Sequence, residues 1–308
     1  MVSKIGGAVT ERSEDRIVKS VKNGNSQVDT SNFLQMESHK MNIKETKCYC
    51  LVRKLYYALK NWDTTKDDLA VRFALRKFKN RHKGQTCVVI GNGPSLKAED
   101  LTRIAQCGIP TFACNRIHLI FPQTPWRPTY YFMSDEKLIK QYGDHIDDVP
   151  AENRFFPKLC RNQIKNGNFY NRLASRYEEE GRFSLHAGKG VYTGCTITAE
   201  MLQFAYFMGF RNIYLIGVDF SYQISKKLDD VTYSYQGENN YFIPGYLKPG
   251  EVADMPNVNA NLLAFHAAKE AIEGQGRTVQ NATRGGKLEV FTRVNLDELL
   301  QKWEEEQR

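Results

Sequence analysis

Gly91, Asn92, Gly93 and Ser95 stand directly after the apolar run Cys87-Val88-Val89-Ile90, and this spacing is the strongest chemical signal in the chain. A buried strand that runs into a glycine-rich turn lets a ligand approach the main chain, because glycine adopts backbone angles closed to other residues. The N–H groups of the turn and of a helix opening after it then face an anion, and Ser95 suits the cap of that helix. Such a cradle fits a phosphate, and hence a nucleotide. It is not a Walker-type loop, since no Gly-Lys-Ser/Thr follows, and Leu96 stands where a dinucleotide fingerprint has its third glycine. A tight strand-to-helix turn with no ligand accounts for the same residues.

Further polar residues recur after apolar runs. Asn115 follows Thr111 to Cys114, Ser134 and Asp135 follow Tyr130 to Met133, and Asp219 follows Ile213 to Gly217-Val218. In an open parallel sheet ligands bind beyond the carboxyl ends of the strands, so these residues are expected to share one pocket. Asn92 and Asn115 offer paired donors and acceptors for a base or ribose. Thr193 and Gly194 open a helix and offer a second anion site, although simple capping explains them as well. Tyr222, Tyr233, Tyr235 and Tyr241 fall in an irregular, aromatic-rich stretch, 220–258, that suits a lid whose phenols could hold a phosphate. Asp135 is the preferred general base over His186 and His266, because a carboxylate at a strand end can take a proton from a hydroxyl. No structural metal site is expected, as the seven cysteines form no paired zinc spacing.

The elements that must position these groups alternate strand and helix from Gln85 onward. The expected fold is therefore α/β, a Rossmann-like doubly wound and mostly parallel sheet over residues 85–300. Residues 1–49 are polar and aperiodic and read as a flexible extension. Residues 50–84 carry two basic amphipathic helices, with Leu51, Leu55, Leu59, Leu69 and Phe73 expected to pack inward. The formal net charge of +8 lies in the first part of the chain, where residues 1–84 hold 18 Lys and Arg against 9 Asp and Glu, while the remainder holds 25 against 26. A basic amphipathic helix can meet an anionic membrane surface; no nucleic-acid motif accompanies it. With 41% hydrophobic and 25% charged residues, and no apolar run near bilayer length, the expectation is a cytoplasmic protein, peripheral at the inner face of the membrane if that surface is used.

The ordered blocks GNGPSL, CNRIHLIF, WRPTYYFMSD, IYLIGVDFSY and NATRGGKLEVF resemble the MptE-like proteins, a family named for a 6-hydroxymethylpterin pyrophosphokinase and related to motility-accessory-factor flagellin glycosyltransferases. The first and fourth blocks also resemble bacterial sialyltransferases that use CMP-sialic acid. That resemblance implies nucleotide contacts at Asn92, Asn115, Thr193 and Gly194, and phosphate-facing lid residues at Tyr222 and Tyr233. Relatives that read Asn-His-Phe place a histidine where this chain has Tyr241 in Asn240-Tyr241-Phe242. The implied activity is transfer of a nonulosonate-type acidic sugar from a CMP-sugar to a cell-surface or protein-linked glycan, with no obligatory cofactor. Two alternatives stand beside it: an ATP- and Mg-dependent pyrophosphokinase acting on a hydroxymethylpterin, with Asp135 and Asp219 on the metal, and a non-enzymatic scaffold in envelope-glycan assembly.

Overall fold

The computed structural model describes residues 51–52, 55–61, 68–146, 149–175 and 180–308. The polar extension 1–49 lies outside them. The chain divides after Tyr56, and the sheet with its covering helices belongs to the unit from Tyr57 to Arg308.

Eight strands form one sheet: β1 (Thr86–Ile90), β2 (Thr111–Cys114), β3 (Tyr130–Phe132), β4 (Asn153–Pro157), β5 (Asn168–Tyr170), β6 (Asn212–Ile216), β9 (Thr278–Asn281) and β10 (Thr292–Arg293). Their order is β10-β9-β6-β1-β2-β3-β4-β5, and every pairing within the sheet is parallel. The chain builds outward from β1 to β5, then returns to lay β6 on the opposite edge of β1. That reversal is the topological switch point, where a doubly wound sheet opens a crevice at its carboxyl end.

The run Cys87 to Ile90 is apolar throughout because both faces of the sheet are covered. Cys87 and Val89 enter one core with α1 (Leu69–Leu75), α4 (Ile197–Phe207) and α5 (Val258–Glu273); Val88 and Ile90 enter the other with α2 (Ala98–Gln106), α3 (Glu136–Ile146) and α6 (Leu296–Glu306). Helix α4 is buried on nearly every side. Arg103 holds Glu304 at 2.6 Å, tying α2 to α6, and Arg284 donates to Asp100 and, at 2.6 Å, to Asp297.

Several local expectations change. The stretch 161–190, polar in sequence, contains β5, whose edge position asks for little apolar surface. The body runs on past residue 300 to the end of α6. Helix α1 stops at Leu75 and tightens into a 3₁₀ turn, Arg76–Phe78, and its inward face is Val71, Leu75 and Phe78. Leu59, Leu69 and Phe73, expected inside, are 61%, 67% and 77% exposed. Spacing by four fits either side of an amphipathic helix, and burial is decided here by the other set.

The segment 220–258 carries β7 (Thr232–Ser234) and β8 (Val252–Asp254), paired antiparallel, over its own small core of Tyr233, Tyr235, Tyr246 and Leu247. Glu238 closes one end of it, accepting from the N–H groups of Ser225 (3.0 Å) and Gln236 (2.7 Å) and from the Ser225 hydroxyl. Burial works against its ionisation, but these hydrogen bonds outweigh it and pull the carboxyl from 4.5 to about 2. A lowered carboxyl stabilises the fold above its unfolded value and loses that contribution as pH falls through the folded one. The amides of Ser225 and Gln236 should therefore lose hydrogen-exchange protection as pH drops from about 4.5 toward 2. In Glu238→Gln, the same loss should already be present at neutral pH.

Candidate functional site: a crevice at the switch point

Beyond Ile90 and Ile216, the two central strands run into facing glycines. Gly91 N–H donates to the Ile216 carbonyl at 2.8 Å, and Gly93 N–H to the Gly217 carbonyl at 2.8 Å. Neither Gly91 nor Gly93 has a positive φ. Their smallness serves backbone packing instead: a Cβ on Gly91 would lie 2.9 Å from the Gly217 carbonyl carbon, and one on Gly93 would lie 2.7 Å from the Asp219 carboxyl carbon.

Asp219 is buried and turned into that loop. Its oxygens accept from the Ser95 hydroxyl (2.8 Å) and the Ser95 N–H (3.2 Å). Ser95 thus holds Asp219 and does not cap α2, whose N-cap is Lys97 with no side-chain hydrogen bond. Burial pushes the Asp219 carboxyl up, and the bonds from Ser95 oppose that rise.

The crevice holds a cavity of about 170 Å³. Gly91, Asn92, Gly93, Asn115, Asp219, Tyr222 and Tyr241 line it, so seven of the residues singled out by sequence converge. Asn92 Nδ2 donates to the Cys114 carbonyl at 3.2 Å, which fixes the amide and leaves Oδ1 buried with no partner. Asn115 Oδ1 is likewise buried and unpartnered, on a residue held at φ 52°. Buried acceptors are rarely left unmade in native proteins, and both of these border one cavity.

Other expected residues stand elsewhere. Thr193 and Gly194 precede α4, but its N-cap is Thr196, and Thr196, Ile197 and Thr198 are the residues that reach the cavity. Gly194 packs on α5 beside Ala264, and Asn261 of α5, its amide nitrogen turned toward the loop, donates to the carbonyls of Gly194 (2.9 Å) and Cys195 (3.1 Å). Tyr233 is buried in the small core under 220–258 and does not border the cavity. Ser134 is buried, its carbonyl accepting from Arg172. Asp135 is exposed and caps α3, its Oδ1 accepting from Lys137 N–H (2.8 Å) and Leu138 N–H (3.2 Å). Asp135 and Asp219 are thus engaged separately, and among the described residues no group of three or more His, Cys, Asp or Glu is gathered as a metal ion would need.

Sequence reasoning passed over Phe220, Asn240, Tyr246 and Phe265, all of which line the cavity. Phe220 has φ 53°, costly for a bulky residue and typical of a functional turn. Segment 220–258 is closed over the crevice. Phe242 N–H donates to the Asn92 carbonyl at 3.1 Å, and Tyr241 stacks on Tyr246 with centroids 4.0 Å apart. Arg116, just past β2, donates to the Tyr246 carbonyl, and its guanidinium lies 4.4 Å from the Tyr142 ring centroid. Burial raises the phenols of Tyr241 and Tyr222, so both remain protonated donors at working pH.

A family model described as 6-hydroxymethylpterin diphosphokinase MptE-like matches residues 57–225, just over half of the chain. The chain belongs to the MptE-like family. The matched stretch of this MptE-like protein runs through β1 to β6 and so contains both sides of the switch point. Among solved structures, a MAf glycosyltransferase from Magnetospirillum magneticum AMB-1 aligns at 16% identity and TM-score 0.47, over 77% of this chain and 38% of its own. The sialyltransferase CstII from Campylobacter jejuni, in complex with a substrate analogue, cytidine-5'-monophosphate, aligns at 14% identity and TM-score 0.40, over 69% of this chain and 85% of its own. Likeness at that level argues nothing about activity. No curated protein matches the chain.

Proposed function

We propose that this MptE-like protein is a glycosyltransferase that takes an acidic sugar from a CMP-sugar donor and passes it to a glycan or glycoprotein acceptor. The observation that carries the reading is the pair of buried, unpartnered amide oxygens on Asn92 and Asn115 at the switch-point cavity. An acceptor oxygen seeks a donor, which phosphate lacks and which ribose hydroxyls and the exocyclic amine of cytosine or adenine supply. The phosphate then falls to the N-terminus of α4, where Thr196, Ile197 and Thr198 border the cavity. In the reaction the bond from the anomeric carbon to the phosphate oxygen breaks, its electron pair leaves with CMP, and the acceptor hydroxyl oxygen bonds to the anomeric carbon while losing its proton. Protonated Tyr222 and Tyr241 are suited to hydrogen-bond the departing phosphate.

For the proton we favour Asp219 over Asp135. Asp219 lines the cavity, where burial moves its carboxyl up toward the working pH of a general base against the bonds from Ser95, whereas Asp135 is exposed, caps α3 and does not border the cavity. Asp219→Asn should bind CMP yet turn over roughly 10²- to 10⁴-fold more slowly. Asp135→Asn should leave both unchanged, since asparagine caps as well as aspartate.

Thermal unfolding with CMP, CDP, ATP plus Mg²⁺ and GTP tests the reading. CMP at a hundred times its Kd should add about 2.7 kcal/mol of stability. Asn92→Ala should keep the unliganded melting temperature within a degree or two, yet lose most of the CMP shift. A diphosphate transfer from ATP to a hydroxymethylpterin is the second reading, favoured by the description of the family; a larger shift with ATP plus Mg²⁺ than with CMP would select it.

A further inference from the structure

Helix α1 shows two faces. Val71, Leu75 and Phe78 enter the core, while Leu69, Arg72, Phe73 and Arg76, spaced by three and four, share the outward side. With Lys79, and with His186 and Lys189 from a neighbouring turn, they border an open groove of about 670 Å³ that Ala70, Gly188 and Phe207 also line. Phe73 is 77% exposed and Leu69 67%. A phenylalanine and a leucine projecting side by side are not ordinary surface scatter. Four cations border the groove, and among the described residues no carboxylate lines it. Among the described residues, Asp68 beside the groove is buried and paired with Lys158 at 2.5 Å.

We propose that this face is a docking surface for an anionic phospholipid membrane. Phe73 and Leu69 enter the boundary between headgroups and acyl chains, and Arg72, Arg76, Lys79 and Lys189 meet the lipid phosphates. Charge complementarity selects the partner's sign, and the two projecting apolar side chains select a bilayer over a nucleic acid, whose phosphate backbone would leave them in water. Among the described residues no helix is long and apolar enough to cross a membrane, so the contact is peripheral. It stands independently of the chemistry at the switch point.

Flotation of the full chain with vesicles of phosphatidylcholine, alone or mixed with phosphatidylglycerol, tests the proposal. Binding is expected only to the mixed vesicles and should weaken in high salt. Each Arg or Lys replaced by Gln among Arg72, Arg76, Lys79 and Lys189 should lower partitioning roughly fivefold, corresponding to about 1 kcal/mol per basic residue. Phe73→Ser with Leu69→Ser should lower it at least as much as one such charge, with the melting temperature and CMP shift unchanged. Equal binding to both vesicles would overturn the proposal. So would charge variants that lose binding while Phe73→Ser with Leu69→Ser keeps it, which marks a polyanion surface. A Phe73-dependent dimer in sedimentation, with no vesicle binding, would give the face to a second copy of the chain.

Discussion

Gly91→Ala should cost about 3 kcal/mol or more. The added Cβ would meet the Gly217 carbonyl carbon at 2.9 Å and Val218 Cγ2 at 3.0 Å. Gly217 is itself bonded to the same loop through Gly93 N–H, so neither strand end can retreat without breaking the contact that joins β1 to β6. Overpacking usually relaxes through side chains, and here the obstacle is main chain. Gly84→Ala is the comparison: Gly84 has φ 82° but open space around it, so only backbone strain of about 1 kcal/mol applies. Urea unfolding of both variants gives the difference, and a Gly91→Ala midpoint equal to that of Gly84→Ala would refute the close-approach argument.

Glu200→Ala should be the most destabilising loss of a single carboxylate. Glu200 is 1% exposed on the first turn of α4, accepts from the Tyr170 hydroxyl and lies 3.4 Å from Arg172 Nε. Burial pushes its carboxyl up, while Arg172 and the hydrogen bonds from Tyr170 and Ser134 pull it back. Removing it strands the buried Tyr170 hydroxyl and takes from Arg172 its buried carboxylate, leaving it the Ser134 carbonyl and Glu136 at 3.7 Å, a loss of about 3 kcal/mol, the lower end for a broken buried pair. Glu200→Gln retains an acceptor for Tyr170 and should lose only about 1–3 kcal/mol. Equal midpoints for the two variants would show that the charge, and not the hydrogen bond, supplies the stability.

That cluster had no signature in the sequence. Glu200 is the one charged residue in a largely apolar helix, and its partners Tyr170 and Arg172 sit in a stretch too polar to announce a strand. The strands β1, β2, β3 and β6 were legible because both faces of each are buried, which writes an unbroken apolar run. The same runs mark their own carboxyl ends, so position alone pointed to Asn92, Asn115 and Asp219, which line one cavity. Asp135 ends a strand in the same way, yet its side chain turns to a helix cap, and sequence cannot tell a cap from a ligand contact when aspartate serves both. Phe220 and Phe265 border the cavity through a left-handed turn and a helix face, neither of which leaves a mark on residue type. The inward side of α1 was misjudged because apolar residues occupy both sides of that short helix.

The central position of β1 also governs how the chain must come together during synthesis. β1 is made first, and β2 to β5 extend the sheet on one side of it; the opposite edge waits for Asn212–Ile216. At ordinary translation rates that wait is on the order of ten seconds. Throughout it, Cys87-Val88-Val89-Ile90 presents unpaired N–H and carbonyl groups along an apolar strand, a template for pairing with another nascent chain. Truncations that stop before β6 should therefore collect as aggregates.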